Sequence, residues 1–486
     1  MEPIADTRMA AGALQLAEFI ANDAHHRRPS TASADRLMRV AGVLEHRWNF
    51  SSWRGVGPPP AAALAASFAR SLDAPTGAKV VAFGVARAPG ADGREVVVLA
   101  WAQRFAHFDG PIARVAAVGD VIRLRGAGRG LAGNVLLAVT APNGVVSNKT
   151  AGDADHIDAE VVVSKPGLWQ VELVGTLANG PFPVANFPVY VAVSDDPKAT
   201  PRDHMIVSES AFREELMTLV NAARKTAGCP SLDDDARLTV AARAHSLAMR
   251  DEKFWGHESP RTGSPSDRVR FAGLLTTRSG ENIARGPSAQ DVHESLMDSP
   301  GHRSTIQSCV YTHVGLGIVA GAAHDASDWI VTQEFARINP TIAIGDALRD
   351  ILSRANHQRA AAGLAELRWE LRLAEAAQFA AESMVSPAAD ANATGKLALA
   401  QLAKSDVWFA HLNASWGERD SIESTLSLKS FSATEVDSIG IGVVQASLTG
   451  KPTNQLFVVV MTAQSGSRRE SHPARPLAPQ QNTKAP

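Results

Sequence analysis

The chain of 486 residues has only two cysteines, Cys229 and Cys309. So few exclude a disulfide-stapled mini-protein and any four-cysteine zinc centre. Net charge is nearly absent too: 48 Lys and Arg stand against 50 Asp and Glu, a formal charge of -2, with no long basic run. That balance supplies no field to recruit nucleic acid or an anionic membrane surface. Apolar runs are broken by charge before about 18 residues, which excludes a membrane-spanning helix. The N-terminal stretch MEPIADTRMAAGALQLAEFIAND is acidic at its start and carries Glu18 in its apolar part. It reads as an amphipathic helix, not a secretory signal, and taken alone points to the cytoplasm. Catalytic signatures are missing as well, with no G-x-S-x-G elbow, H-E-x-x-H helix or Walker loop. Gly128, Gly130 and Gly133 have G-x-G-x-x-G spacing, but NVLLAVTAP follows them as strand where a phosphate-binding helix is needed, so a hairpin loop is expected.

What is present favours packed cores. Hydrophobic residues make up 45% and charged residues 20%, and the length suggests about three or four units. The stretch from Asn221 aligns without a gap to the stretch from Asn356, an offset of 356 − 221 = 135. It pairs Arg224 with Arg359, Gly228 with Gly363, Leu238 with Leu373 and Met249 with Met384. Both stretches read as helix, Gly-ended turn, helix. A strand, turn and strand recur from Thr312 and from Asp437, with a weaker echo from Ala78. Between them, segments such as VIRLRG, AEVVVSKPG and FPVYVAV alternate between Gly, Pro and Asn turns, as in an immunoglobulin-like β-sandwich.

The expected fold is therefore α+β and multidomain. Residues 1–108 form an α+β unit with room for a third, more divergent copy of the helix-and-hairpin domain, 109–195 an all-β sandwich, 205–338 that helix-and-hairpin domain, and 342–466 its degenerate copy. SDDPKATPRD from Ser194 is a linker, and 467–486 form a disordered tail rich in Pro and Gln.

Polar residues suited to chemistry concentrate between Trp255 and Arg303. His257 lies in WGHESP, Glu281 in SGENIA and His302 in DSPGHR. Ser299 is placed to cap a helix with Pro300 at its first position, which puts His302 in the first turn. The histidines are 302 − 257 = 45 residues apart, so only folding brings them together.

GENIA followed by SPGHR, with an H-x-S-P loop before and VGLGIV and WIVTQEFA after, resembles the bacterial branch of the CAP superfamily. That superfamily holds cysteine-rich secretory proteins, antigen 5 and pathogenesis-related proteins, and its domain is also called SCP. The likeness spans about Ser208 to Arg337. It implies an α-β-α sandwich around an antiparallel sheet, with His257, Glu281 and His302 lining a surface cleft that can hold Zn²⁺ or another divalent metal between the histidines. Leu296 stands where the family has a Trp, and Asp298 or Glu294 is the candidate for a further carboxylate. In the later copy, Asn392 falls opposite His257 and Ser427 opposite His302, so that copy is degenerate in its cleft.

Two functions follow from the resemblance. The first is a binding module for a lipid, peptide or cell-envelope component, with the cleft of 205–338 formed by His257, Glu281, Asp298 and His302. The second is a metal-assisted hydrolase or peptidase, with His257 and His302 as ligands and Glu281 as general base. Cys229 and Cys309 both fall in the CAP-like unit and are absent together from its copy, which predicts a disulfide between them. A disulfide implies an oxidising compartment, so an exported, extracytoplasmic or secreted protein is expected although this chain shows no signal peptide.

Overall fold

The computed structural model describes residues 2–23, 25, 28–29, 31–46, 48–59, 61–72, 80–178, 180–193, 208–321, 328–386, 393–405, 407–448 and 451–465. The linker expected from Ser194, Asn392 and the tail 467–486 lie outside them. The chain divides into two compact units, Met1–Arg337 and Ile338–Pro486. The first unit holds all three regions expected at 1–108, 109–195 and 205–338. They form one compact unit: Leu44, Phe105 and Ala106 join the core of the β-rich middle region, and Glu172 of that region bonds Ser299 of the third.

One four-stranded sheet pattern occurs three times. In the first unit the strand orders are Glu2–Ala5, Val80–Pro89, Glu95–Arg104, Trp48–Gly55, and then Asp233–Asp234, His313–Ala320, Trp329–Ala336, Ser279–Gly286. In the second unit the order is Arg368–Trp369, Ser438–Ala446, Gln455–Ser465, Phe409–Arg419. In each sheet the short first strand pairs parallel with its neighbour and the other pairings are antiparallel.

The residue after each short strand caps a helix. Asp6, Asp235 and Glu370 accept bonds from the first backbone N–H groups of the helices Thr7–Asn22, Ala236–Asp251 and Leu371–Met384, satisfying donors that a helix start leaves orphaned. Each helix then lies directly on its sheet. A Cβ on Gly315 or Gly317 would overlap the helix backbone at Leu238 or Ala242, and Gly440 and Gly442 meet Leu373 and Ala377 in the same way. Those glycines are the small residues of VGLGIV and SIGIGVV. Gly315→Ala is expected to push the helix off its sheet and cost about 1–3 kcal/mol in a melting measurement, as overpacking does. An unshifted melt would show that the layer yields freely.

In residues 208–337 the strand alternation gives two different faces. Val314, Leu316 and Ile318 join Phe212, Leu216 and Val220 of the helix Glu209–Thr226 in one core, while Gly315 and Gly317 meet the helix Ala236–Asp251 on the other face. The result is three layers, helix, sheet, helix. Buried arginines tie the layers. Arg224 donates to the carbonyls of Pro230, Ile306, Ser308 and Tyr311. In the second unit Arg359 donates to those of Ala365, Phe431, Ala433 and Val436. Asn221 clasps Leu232 through two backbone bonds, and Asn356 clasps Leu367 likewise.

The middle region has eight strands in the order Phe108-ended Ala106–Phe108, Val121–Gly128, Ile157–Val162, Val146–Asp153, Ala132–Thr140, Gly167–Leu177, Gly180–Val191, Val115–Ala116. The first three and the last five are joined through a single pair, Ile157 with Gly152, and both groups fill one core with Leu124, Val135, Val171 and Phe187. The segment at Gly128–Gly133 leads into a strand as expected. It is not a hairpin, since its flanking strands Val121–Gly128 and Ala132–Thr140 pair with other partners.

Candidate functional site

Glu281 sits on the edge strand Ser279–Gly286, directly opposite Glu334 of Trp329–Ala336. Both side chains are almost wholly buried, 1% and 0% exposed, and Arg268 at 2% lies against them. Arg268 comes from the short helix Pro265–Phe271, which starts in a capping box between Ser264 and Asp267. Its guanidinium pairs with Glu281, reaches Glu334 at 2.9 Å, and donates to the carbonyls of Gly263 at 2.7 Å and His257 at 3.1 Å. His257 Nδ1 lies 2.6 Å from Glu281 Oε1. His245, fully buried on the helix Ala236–Asp251, is 3.8 Å from the same oxygen and 3.0 Å from the Gly256 carbonyl.

Two carboxylates and one guanidinium in a dry pocket leave one proton to be shared. Burial, with the neighbouring Glu281, holds the Glu334 carboxyl well above the carboxylate range. Burial raises Glu281 to about 7, against the pull of Arg268. Desolvation and the Arg268 charge push His245 down to about 3 and His257 down to about 4, so both imidazoles are neutral at pH 7.

The next residue faces the other way. Asn282 donates to the His302 carbonyl at 3.2 Å and to Gln333 at 3.1 Å, so GENIA serves both faces of its strand. Ser299 caps the helix Pro300–Ile306, with Pro300 at its first position and His302 in its first turn. His302 Nδ1 lies 2.8 Å from Ser299 Oγ. Burial, helped by the nearby His257, pushes the imidazole down to about 3.

What stands behind Ser299 comes from outside the helix-and-hairpin domain. Glu172, on the strand Gly167–Leu177 and fully buried, accepts from Ser299 Oγ at 2.7 Å and from the Gly301 N–H at 2.9 Å. Asn186 donates to Glu172 at 2.9 Å and to the Asp298 carbonyl at 3.3 Å. With Ser299 donating to Glu172, its oxygen is left to accept from the His302 Nδ1–H, which keeps the proton on that nitrogen. Burial raises the Glu172 pKa, and the bonds from Ser299 and Gly301 oppose the rise. The His46 ring lies 6.5 Å from that of His302. A Cβ on Gly180 would stand 3.3 Å from the His257 Cβ.

Of the residues singled out in the sequence, His257 and Glu281 touch, while the His302 ring bonds to Ser299. Asp298 turns to Arg39 at 3.8 Å. Glu294 accepts from Gln290 at 2.6 Å, and Leu296 fills the core. Among the described residues, no group of three or more His, Cys, Asp or Glu is arranged to hold a metal ion. The side chains therefore do not fit a zinc centre with three protein ligands, since the Glu281 carboxylate is already taken by Arg268 and His257. Ser427 bonds the Ser424 carbonyl in its own turn.

Sequence reading missed His245, Arg268, Glu334 and Glu172. A charged residue within the apolar strand WIVTQEFA was the available signal for Glu334. In the second unit the same register places Met461 opposite Gly440 and Ala414 opposite Met461, where Glu334 and Glu281 stand in the first. Apolar residues there replace the buried charges.

Acid should weaken the folded site. Below about pH 6.5 an unfolded chain protonates its histidines, while folded His302 stays neutral down to about 3. Stability present above pH 6.5 is thus lost as the pH falls. Replacing His302 with Asn is expected to flatten the fall in melting temperature between pH 6.5 and 4, and an unaltered slope would remove His302 from the cause.

The layers and this His, Glu and Arg cluster define an α-β-α domain with a buried polar centre. Residues 217–335 match the family model CAP, "Cysteine-rich secretory protein family", and the chain carries a CAP domain. The chain is similar to the uncharacterized protein YkwD of Bacillus subtilis (strain 168), at 37% identity over 129 residues, covering 26% of this chain and 48% of that protein. It is also similar to the uncharacterized membrane protein YlbC of the same organism, at 29% identity, covering 25% and 36%. The chain thus spans under half the length of these curated relatives. Among solved structures, an extracellular protein containing a SCP domain from Bacillus anthracis str. Ames aligns at 17% identity and TM-score 0.25, covering 36% of this chain and 65% of that one.

Cys229 and Cys309 form the expected disulfide, with Cα atoms 5.0 Å apart. Cys229 follows the helix Glu209–Thr226 and Cys309 follows Pro300–Ile306, so the bond ties the two helices of one layer.

Proposed function

We propose that this is an extracytoplasmic binding protein that holds a peptide, lipid or other cell-envelope component on its CAP domain. The observation that carries this reading is the burial of Glu281 between Arg268 and His257. A carboxylate so enclosed, and already paired with Arg268 and His257, is suited to organising the domain. A groove of about 620 Å³ lined by Arg213, Met217, Asn221 and Leu316 offers a recess on the same domain. The disulfide supports an oxidising compartment.

The three sheets of one topology are copies of a single module in this reading, with the polar centre kept in one and exchanged for apolar packing in the copy at 342–466. The same reading takes the middle region, whose strand Gly180–Val191 pairs parallel with the short Val115–Ala116, as a sandwich of immunoglobulin type that serves as a spacer and a wall. No described helix is long and apolar enough to cross a membrane.

Co-sedimentation tests the reading. Full-length protein is mixed with purified cell-wall sacculi and with anionic lipid vesicles. Binding to one of them, weakened about fivefold or more by Met217→Glu as burial of an unpaired charge predicts, is the expected result. Absence of binding to both would sink it, and cleavage of a peptide library that is lost in Glu281→Gln would favour the hydrolase instead.

A further inference from the structure

A second cavity, of about 410 Å³, lies between the N-terminal sheet and the middle region, and none of its lining residues belongs to the cluster of His245, His257, Glu281 and His302. Its lining includes the charged side chains Arg8, Arg104 and Arg114 and the apolar ones Leu44, Phe108 and Ile112. Its size falls within the range of about 300–1,000 Å³ common to small-molecule sites.

The charges around it do not balance. Arg104 donates to Glu45 at 2.6 Å and to Asp6 at 2.8 Å, and Arg8 donates to the same Asp6 at 3.2 Å. Two carboxylates thus serve two guanidinium groups. Arg114 is the one left over. It donates only to backbone carbonyls, of Pro188 at 2.7 Å and Arg39 at 2.6 Å, and stacks 5.2 Å above the Phe187 ring. Its Nη1 is shut off from water with no hydrogen-bond partner. Burial pulls its pKa down to about 10, and the neighbouring Arg39 and Arg8 add to the fall against a counter-effect from Tyr190. Arg114 as a whole is half-buried, and a partly desolvated cation with no carboxylate beside it gains from an anion that completes it.

We propose that this cavity binds a small organic carboxylate with an apolar body, the carboxylate facing Arg114 and the body lying against Phe108, Ile112 and Leu44. A guanidinium at the cavity wall attracts a carboxylate by its charge, and the surplus of a single positive charge suits a monoanion. The apolar wall distinguishes such a ligand from inorganic phosphate. This proposal uses no residue of the CAP domain, so it stands or falls apart from the function proposed above.

The test is calorimetric titration of the full chain with 4-phenylbutanoate, 4-phenylbutanol and inorganic phosphate. One-to-one binding of 4-phenylbutanoate, about tenfold or more tighter than either control, is expected from one charge-assisted contact. Arg114→Met should weaken it by about the same factor. Ile112→Trp, which leaves Arg114 in place and fills the cavity from a half-buried loop position, should abolish saturable heat. No saturable heat from 4-phenylbutanoate, equal binding of 4-phenylbutanol or phosphate, or wild-type affinity in Ile112→Trp overturns the proposal. The Ile112 variant keeps the test decisive if Arg114→Met fails to fold.

Discussion

Arg268→Met is expected to lower the stability of the CAP domain by about 3–5 kcal/mol, the cost of leaving buried charge without its partner. The variant strands Glu281 and Glu334 together at almost zero exposure, and it takes the Arg268 bond from the carbonyl of His257 and from that of Gly263, which keeps only the Ser259 N–H. The second unit shows what relieves the strain, because Ala414 and Met461 occupy the two carboxylate positions there. The triple variant Arg268→Met, Glu281→Ala, Glu334→Met should therefore recover much of the loss, as apolar replacement of buried ion networks does elsewhere. Scanning calorimetry of the full chain reads both. A single variant that melts like the wild type, or a triple variant no better than the single, would refute the network's role.

Reduction of the Cys229–Cys309 bond is expected to have an effect of similar size. The bond closes an interval of 80 residues, and the chain-entropy model gives about 4 kcal/mol for such a loop. Cys309 is exposed while Cys229 is buried, so a small reductant has access from one side. Reduction, or the double variant Cys229→Ser, Cys309→Ser, should move only the calorimetric transition of the unit Met1–Arg337 that contains the CAP domain. That shift also identifies the transition in which the Arg268 variants are to be read. A reduced protein with an unmoved transition would show that packing alone secures these helices.

Much of this fold was legible because it is written locally. The offset of 135 residues found Asn221 and Asn356, Arg224 and Arg359, and each pair makes the same bonds in its own unit. Ser299 and Pro300 announced a helix start, and the joint absence of cysteine from the copy found the disulfide. The centre of the site was less legible. Arg268 and Glu334 meet across 66 positions and Glu172 and Ser299 across 127, distances at which spacing carries no signal. The expected cleft residue Asp298 went to Arg39 instead, because a neighbouring region that the helical pattern cannot foresee lies against that helix end. The loop at Gly128–Gly133 was misjudged for a related reason, since periodicity marks strands without naming their partners.

The bond from Glu172 to Ser299 has a consequence for how such a domain can be moved about. The chemistry of His302 is co-owned by two segments of the chain, and a recombination event or a cloning boundary placed near residue 205 would transfer the imidazole without the carboxylate that orients it. The transplanted domain would keep its motif and its fold, and would present a wetter, differently protonated histidine. Homologous segments joined to other neighbours therefore need not share the acid–base behaviour of this one, however closely their SPGHR sequences agree.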